Sequence, residues 1–391
     1  MLLQMKIYLI TLVYLFGGLF ILTFPPRNFV QSGPQNRHMR ASSKELNFQR
    51  YLNNDMLLAA CELLVKSNPD LIRMVPLPPC TENNRTLLSL ELRSDKEITK
   101  PGIFVIGAIN AMSWGAANAV IELAEKLLYD ANYQTPFFND YDWYLIPMGN
   151  PDGVEFTQKM QSKPSFDVKQ WSRNVTARVT TRPSYWFKNT DTDISGQTND
   201  TCMGTHINRN FAFHWQDDVH ATPERCCPYY PGHKPFSSNE AQAIRKYVDR
   251  LGDNINLAIH LHSSFVHKKE SILFPWRYSL RQPSNFHTLQ EVGEYAARQS
   301  RLPDGRLYEV HQSSYDERVA GTFADYVTGV VGVDLAYIIK PYQQLYPNLT
   351  DYTALDEYVN RAISAVLGLV RGWRSSTKQN TLSFFGRDVE F

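Results

Sequence analysis

Residues 102–114, reading Gly-Ile-Phe-Val-Ile-Gly-Ala-Ile-Asn-Ala-Met-Ser-Trp, constrain this chain more than any other stretch. Ile103, Phe104, Val105 and Ile106 form a continuous apolar run, and a strand without alternation is one covered on both faces. Parallel sheets provide that cover through their crossover helices, so the run implies an α/β fold. In open α/β sheets the ligand crevice lies beyond the carboxyl ends of the strands, which places Asn110 to Trp114 where chemistry is expected. What stands there is chemically inert.

The same strand-then-helix rhythm continues on either side. Ala119, Val120, Leu123, Leu127 and Leu128 recur at helical spacing over 116–128. Further apolar segments predict strands over 87–93, 143–147, 255–261 and 333–339, with helices over 241–250, 289–298 and 355–373. Met56, Leu57, Ala60, Leu63 and Leu64 predict an earlier helix that stops near Asn68-Pro69. Ser237-x-x-Glu240 and Thr353-x-x-Asp356 read as capping boxes, and Gly149-Asn-Pro-Asp-Gly153 as a dense turn signal. Residues 157–201 are polar and read as a long surface excursion, and residues 375–391 as a loose tail.

The formal net charge of +1 over 391 residues excludes a global field that would recruit nucleic acid. Residues 7–24 are an unbroken hydrophobic segment, close to the roughly 20 residues that cross a bilayer. The organisation expected is therefore a signal peptide or signal anchor over 1–24, a polar linker over 25–44, and a folded domain over 45–374. Four glycosylation patterns, at Asn84, Asn174, Asn199 and Asn348, and five cysteines suit an extracellular or secretory-lumen protein, membrane-held if the segment stays uncleaved. Cys202 with Cys226 or Cys227, and Cys61 with Cys80, are the local pairings to test.

Four motifs then occur in one order: Pro147-Met-Gly-Asn-Pro-Asp-Gly153, Cys202-Met-Gly-Thr-His-Ile-Asn-Arg-Asn-Phe211, Tyr230-Pro-Gly232 before Pro235-Phe236-Ser237, and Ile259-His-Leu-His-Ser263. Together they resemble the zinc metallocarboxypeptidases of the pancreatic and regulatory type, over about residues 45–373. The resemblance implies a single α/β domain with a mixed sheet of about eight strands flanked by helices. It also implies a Cys202–Cys226 bridge.

That family holds zinc with a His-x-x-Glu pair after the opening strand and a later His. Here the first two positions are Asn110 and Ser113, and only His262 remains. Catalytic zinc needs three protein ligands, and neither an amide nor a hydroxyl replaces an imidazole or carboxylate. The general-base position carries Lys340, and the oxyanion-steadying Arg position carries Phe187 (Ser172 if aligned on Trp171). His206 replaces an Asp that supports a zinc histidine, so a site rebuilt from His206, His260 and His262 is a further arrangement to check. Lys340, held by Asn110 and Ser113, is expected to fill the metal's place.

The carboxylate-recognition residues are kept. Asn208 and Arg209 match the pair that binds the substrate's C-terminal carboxylate, and Tyr315 matches the mobile tyrosine that covers it. The reading is of a non-catalytic carboxypeptidase-fold protein that binds peptide or protein C-termini and carries no cofactor. The alternatives are an active metallocarboxypeptidase with zinc at a non-standard site, and a structural or adhesion ectodomain.

Overall fold

The computed structural model describes residues 12–15, 18–21, 50–162, 186–192, 203–217, 224–302, 304–344, 347 and 352–385. The chain divides into two compact units, Met1–Lys44 and Glu45–Phe391. In the first, β1 (Leu12–Leu15) and β2 (Gly18–Ile21) pair antiparallel. The sequence reads a bilayer-length segment here, yet Val13, Tyr14, Phe20 and Ile21 suit a strand as readily as a helix. Among the described residues no helix is long and apolar enough to cross a membrane. The linker over 25–44 lies outside the described residues.

The second unit is built on an eight-stranded mixed sheet. Its strands are β3 (Ile72–Leu77), β4 (Leu87–Leu92), β5 (Gly102–Gly107), β6 (Asp142–Ile146), β7 (Ile255–Leu261), β8 (Ser271–Phe274), β9 (Glu309–Gln312) and β10 (Leu335–Lys340). They lie in the order β3-β4-β6-β5-β7-β10-β8-β9. Strands β6, β5, β7 and β10 run parallel through the middle, with antiparallel pairing at β3/β4, β4/β6 and β10/β8.

Helices cover both faces, which is what the unalternating β5 run requires. Ile103 and Val105 pack into a core with α1 (Asn54–Ser67), α2 (Trp114–Tyr129), α5 (Phe286–Gln299) and α6 (Tyr352–Phe385). Phe104 and Ile106 face the opposite core, with Ile244, Tyr247 and Val248 of α4 (Asn239–Leu251). Successive β5 side chains thus feed different cores, and both are closed to water.

Several local expectations change. The turn signal at 149–153 is the start of α3 (Pro151–Gln161): Asn150 caps it by accepting the Gly153 N–H at 2.9 Å, and Pro151 takes the first turn, where no donor is needed. The first residues of the expected surface excursion, 157–161, are therefore the end of α3, and most of the remainder lies outside the described residues. Ser238, not Ser237, caps α4 by accepting the Ala241 N–H at 3.1 Å, which frees Glu240 from the capping box. Thr353 lies inside α6, and that helix continues past Ser375 to Phe385.

Cys61 and Cys80 are both free. They flank β3, whose extended length separates the two, and burial in α1 pushes the Cys61 thiol up to about 12. Cys226 is disulfide-bonded, Cys227 is free and buried, and Cys202 lies outside the described residues. Asn84 is exposed, whereas Asn174, Asn199 and Asn348 lie outside the described residues.

Asn118, fully buried in α2, ties the entry of the domain to this core. Its Oδ1 accepts the Leu52 N–H at 3.1 Å and its Nδ2 donates to the Arg50 carbonyl at 2.9 Å. Asn118→Ala strands both backbone groups, so a loss of about 2 kcal/mol is expected. Denaturant unfolding checks it through a lowered midpoint at unchanged slope; a shift worth under about 0.5 kcal/mol would remove the anchoring role.

Candidate functional site

The parallel register brings three strand ends to one edge. Ile106 and Ile338 both align with His260, and Gly107 and Ile339 with Leu261, so residues following β5, β7 and β10 emerge together. Directly after β5, Ala108 adopts a left-handed φ of 49°, a costly turn that leads the chain into Asn110. The result is a cavity of about 470 Å³ lined by Asn110, Phe187, His206, Asn208, Arg209, His262 and Lys340, among others. The structure thus gathers residues that lie far apart in sequence.

Asn110 is 3% exposed, and its Nδ2 lies 3.5 Å from His206 Nε2. Its Oδ1 has no hydrogen-bond partner among the described residues. Ser113 does not line the cavity; it is fully buried at the N-cap position of α2, where its hydroxyl makes no cap bond.

His262 is committed to the backbone: its Nδ1 lies 2.6 Å from the Ser263 nitrogen and 2.7 Å from the Ser263 carbonyl oxygen, and its backbone N–H donates to the Ile339 carbonyl. Burial, then the charges of His260 and Lys340, hold the ring well below its ordinary pKa. Burial and the Arg277 charge push His260 down to about 3, and burial with Arg209 and Arg277 keeps His206 neutral as well.

These donors do not fit zinc. The first two ligand positions offer an amide and a buried hydroxyl, the third a lone imidazole, and Lys340 adds a cation. The alternative set also fails to assemble: among the described residues no three His, Cys, Asp or Glu side chains are placed to hold a metal ion. His260 packs against His262 at 5.5 Å between ring centroids, while His206 sits by Asn110.

Lys340 is not held by Asn110 or Ser113. Its Nζ donates to Asp316 Oδ2 at 3.3 Å. Burial lowers the ammonium pKa and the Asp316 charge opposes that shift. On the Asp316 side burial works upward, but the bond to His311 Nε2 at 2.9 Å and the Lys340 charge outweigh it, holding the carboxyl well below the usual range. The lysine at the general-base position is therefore paired to a carboxylate supplied by the loop after β9.

Arg209 is the best-buried cation of the cavity, at 3% exposure. Its guanidinium lies over the Tyr229 ring at 4.6 Å, and Nη2 lies 3.8 Å from Glu317 Oε1. Asn208 spends its side-chain oxygen on the fold, accepting the Phe323 N–H at 3.0 Å. Phe187 forms an apolar wall, edge-on to His206 and stacked with Phe265. Tyr315 is 55% exposed and does not line the cavity.

Its neighbours Asp316 and Glu317 do, as does Arg277, whose Nη2 lies 3.3 Å from Glu317 Oε2. Sequence reasoning missed all three. The only available signal was the Asp-Glu pair beside Tyr315, which no local pattern connects to Arg209.

The other motifs serve the scaffold. Asp152 is buried and accepts from Arg85 at 2.6 Å and Asn83 at 2.9 Å. Asn210 donates to the Pro231 and Lys234 carbonyls and accepts the Ser238 N–H, locking the loop that carries Arg209 onto α4.

Compared with known proteins, residues 57–347 match the family described as zinc carboxypeptidase. The chain belongs to that family. It is 24% identical over 314 residues to zinc carboxypeptidase A 1 of Drosophila melanogaster, covering 78% of this chain and 64% of the fly protein. Carboxypeptidase B of Astacus astacus is 25% identical over 298 residues, covering 75% of this chain and 87% of that protein. The inactive metallocarboxypeptidase ECM14 of Saccharomyces cerevisiae is 26% identical over 278 residues, covering 69% and 57% respectively. Among solved structures, thrombin-activatable fibrinolysis inhibitor aligns with a TM-score of 0.69 at 18% identity, over 85% of this chain and 79% of that one. That likeness establishes the zinc carboxypeptidase fold, a single α/β domain, as the resemblance implied.

Proposed function

We propose that this chain is a non-hydrolytic zinc-carboxypeptidase-fold protein that binds the C-termini of peptides or proteins. The observation carrying the reading is Arg209, a guanidinium buried in a cavity that it shares with the Asn110 amide and the His262 imidazole, while the remaining ligand position, Ser113, is a hydroxyl buried outside it. A guanidinium offers the fork geometry that recognises a carboxylate. Lys340, as a paired ammonium, cannot take a proton from water, and Phe187 cannot steady an oxyanion. The yeast relative named inactive is consistent with a family member that has lost its chemistry. The disulfide at Cys226 and the exposed Asn84 pattern support an exported protein.

The test joins metal content to binding. Purified protein is expected to hold far less than one zinc per chain and to leave blocked dipeptides uncut with or without chelator. Near-stoichiometric zinc with chelator-sensitive turnover would restore the active metallocarboxypeptidase. Peptides with a free terminus are expected to bind at least about tenfold tighter than their amides, and Arg209→Ala to erase that difference. Equal affinity for free and amidated peptides would leave the structural or adhesion ectodomain standing.

A further inference from the structure

Arg209 and Arg277 enter the cavity from different parts of the chain and meet at one carboxylate. Glu317 Oε1 lies 3.8 Å from Arg209 Nη2, and its Oε2 lies 3.3 Å from Arg277 Nη2. The guanidiniums belong to the scaffold: their side chains are 3% and 19% exposed. Backbone N–H groups of Arg277 and Tyr278 are fixed by the buried Asp325 carboxylate at 2.9–3.1 Å. Glu317 is 43% exposed and comes from the loop after β9.

We infer that Glu317 stands in for a ligand carboxylate, and that the occupant this pocket prefers is a chain ending in aspartate or glutamate, with one carboxylate on Arg209 and the other on Arg277. This rests on the reading above that Arg209 takes the terminal carboxylate. Because one carboxylate lies within 4 Å of both guanidiniums, the cations are close enough for the two carboxylates of one acidic residue to span them. Arg277 itself lines the cavity, and its Nε is buried with no hydrogen-bond partner among the described residues.

The exchange asks little of the fold. Asp316 is held by Lys340 and His311, and the Val319 N–H donates to the Arg277 carbonyl at 3.2 Å, so the loop backbone is pinned on both sides of Glu317. Only the Glu317 side chain has to swing outward, and its half-exposed carboxylate gives up a weakly held pair for water. The buried guanidiniums exchange one anion for another and are never left bare. A terminal lysine or arginine would instead set a cation against Arg277.

Titration calorimetry with one peptide ending in Glu, in Gln, or in Glu-amide tests this on wild type, Glu317→Gln and Arg277→Gln. In wild type the Glu peptide is expected to bind about tenfold tighter than the Gln peptide, a preference that Arg277→Gln abolishes while sensitivity to amidation remains. Glu317→Gln, at a half-exposed position, is expected to tighten both free-terminus peptides several-fold. Equal wild-type affinity for Glu and Gln termini, with the amide still weaker, overturns the acidic preference and leaves the C-terminus reading intact. Weaker binding in Glu317→Gln overturns the stand-in role, and no binding by any peptide overturns both readings together.

Discussion

Gly321→Ala is expected to destabilise the domain by about 3 kcal/mol and to weaken the Arg209 site with it. Gly321 has a φ of 67°, and a Cβ there would stand 2.5 Å from the Arg209 carbonyl oxygen and 3.1 Å from that of Phe211. Neither contact is with a flexible side chain, so backbone has to move. The same glycine accepts the Phe211 N–H at 3.0 Å, and Phe323, two residues on, donates to Asn208. A displaced Gly321 therefore drags the segment that carries Asn208 and Arg209.

Gly332→Ala is the matched control. Its φ of 86° imposes a similar strain, but a Cβ there meets nothing within 4 Å. About 1 kcal/mol is expected there, with peptide affinity unchanged. Thermal unfolding together with peptide titration separates the two. Equal losses at both positions would mean that conformation alone matters and that the close approach to Arg209 does not.

The central architecture was legible because its causes are local. A short unalternating run such as Ile103–Phe104–Val105–Ile106, largely β-branched and bounded by Gly102 and Gly107, suits a strand between two covered faces, and the helical spacing after it supplies the cover. Parallel register then forces Asn110, His262 and Lys340 to one edge, so the position of the site also followed from the pattern. The charged contacts inside it did not. Arg277, Asp316 and Glu317 acquire meaning only once the loop after β9 folds back across the cavity, a long-range event with no periodicity.

The same limit explains smaller differences. Ser237 and Ser238 are both competent caps, but in the fold the Ser237 hydroxyl accepts from Asn210 Nδ2 at 3.0 Å and the Glu240 Oε2 from Asn189 at 2.8 Å, contacts made at long range that no local pattern reveals. Cys61 and Cys80 are near in sequence but flank an extended strand, which spacing alone cannot reveal. Residues 12–21 have side chains that serve a strand or an apolar helix equally, so hydropathy does not decide their conformation.

Lys188, beside the Phe187 wall, should make stability rise steeply with pH. It is 1% exposed, donates to the Arg225 carbonyl at 2.8 Å, and lies 5.0 Å from the Trp186 ring centroid. Burial, opposed by Cys227 and reinforced by the Arg225 charge, pushes its pKa from 10.5 down to about 7. Below pH 7 the folded and unfolded chains both carry the proton, and the full cost of the buried ammonium is in place. Between about 7 and 10.5 the unfolded chain holds a proton that the folded chain has released, so folding gains with rising pH. Over that window the gain is roughly 4 kcal/mol. Other groups titrate there too, so the quantity to measure is the difference in unfolding free energy between wild type and Lys188→Met at each pH. That difference is expected to climb in favour of wild type from pH 7 to pH 10; a flat line would mean that the ammonium is solvated or paired in the fold.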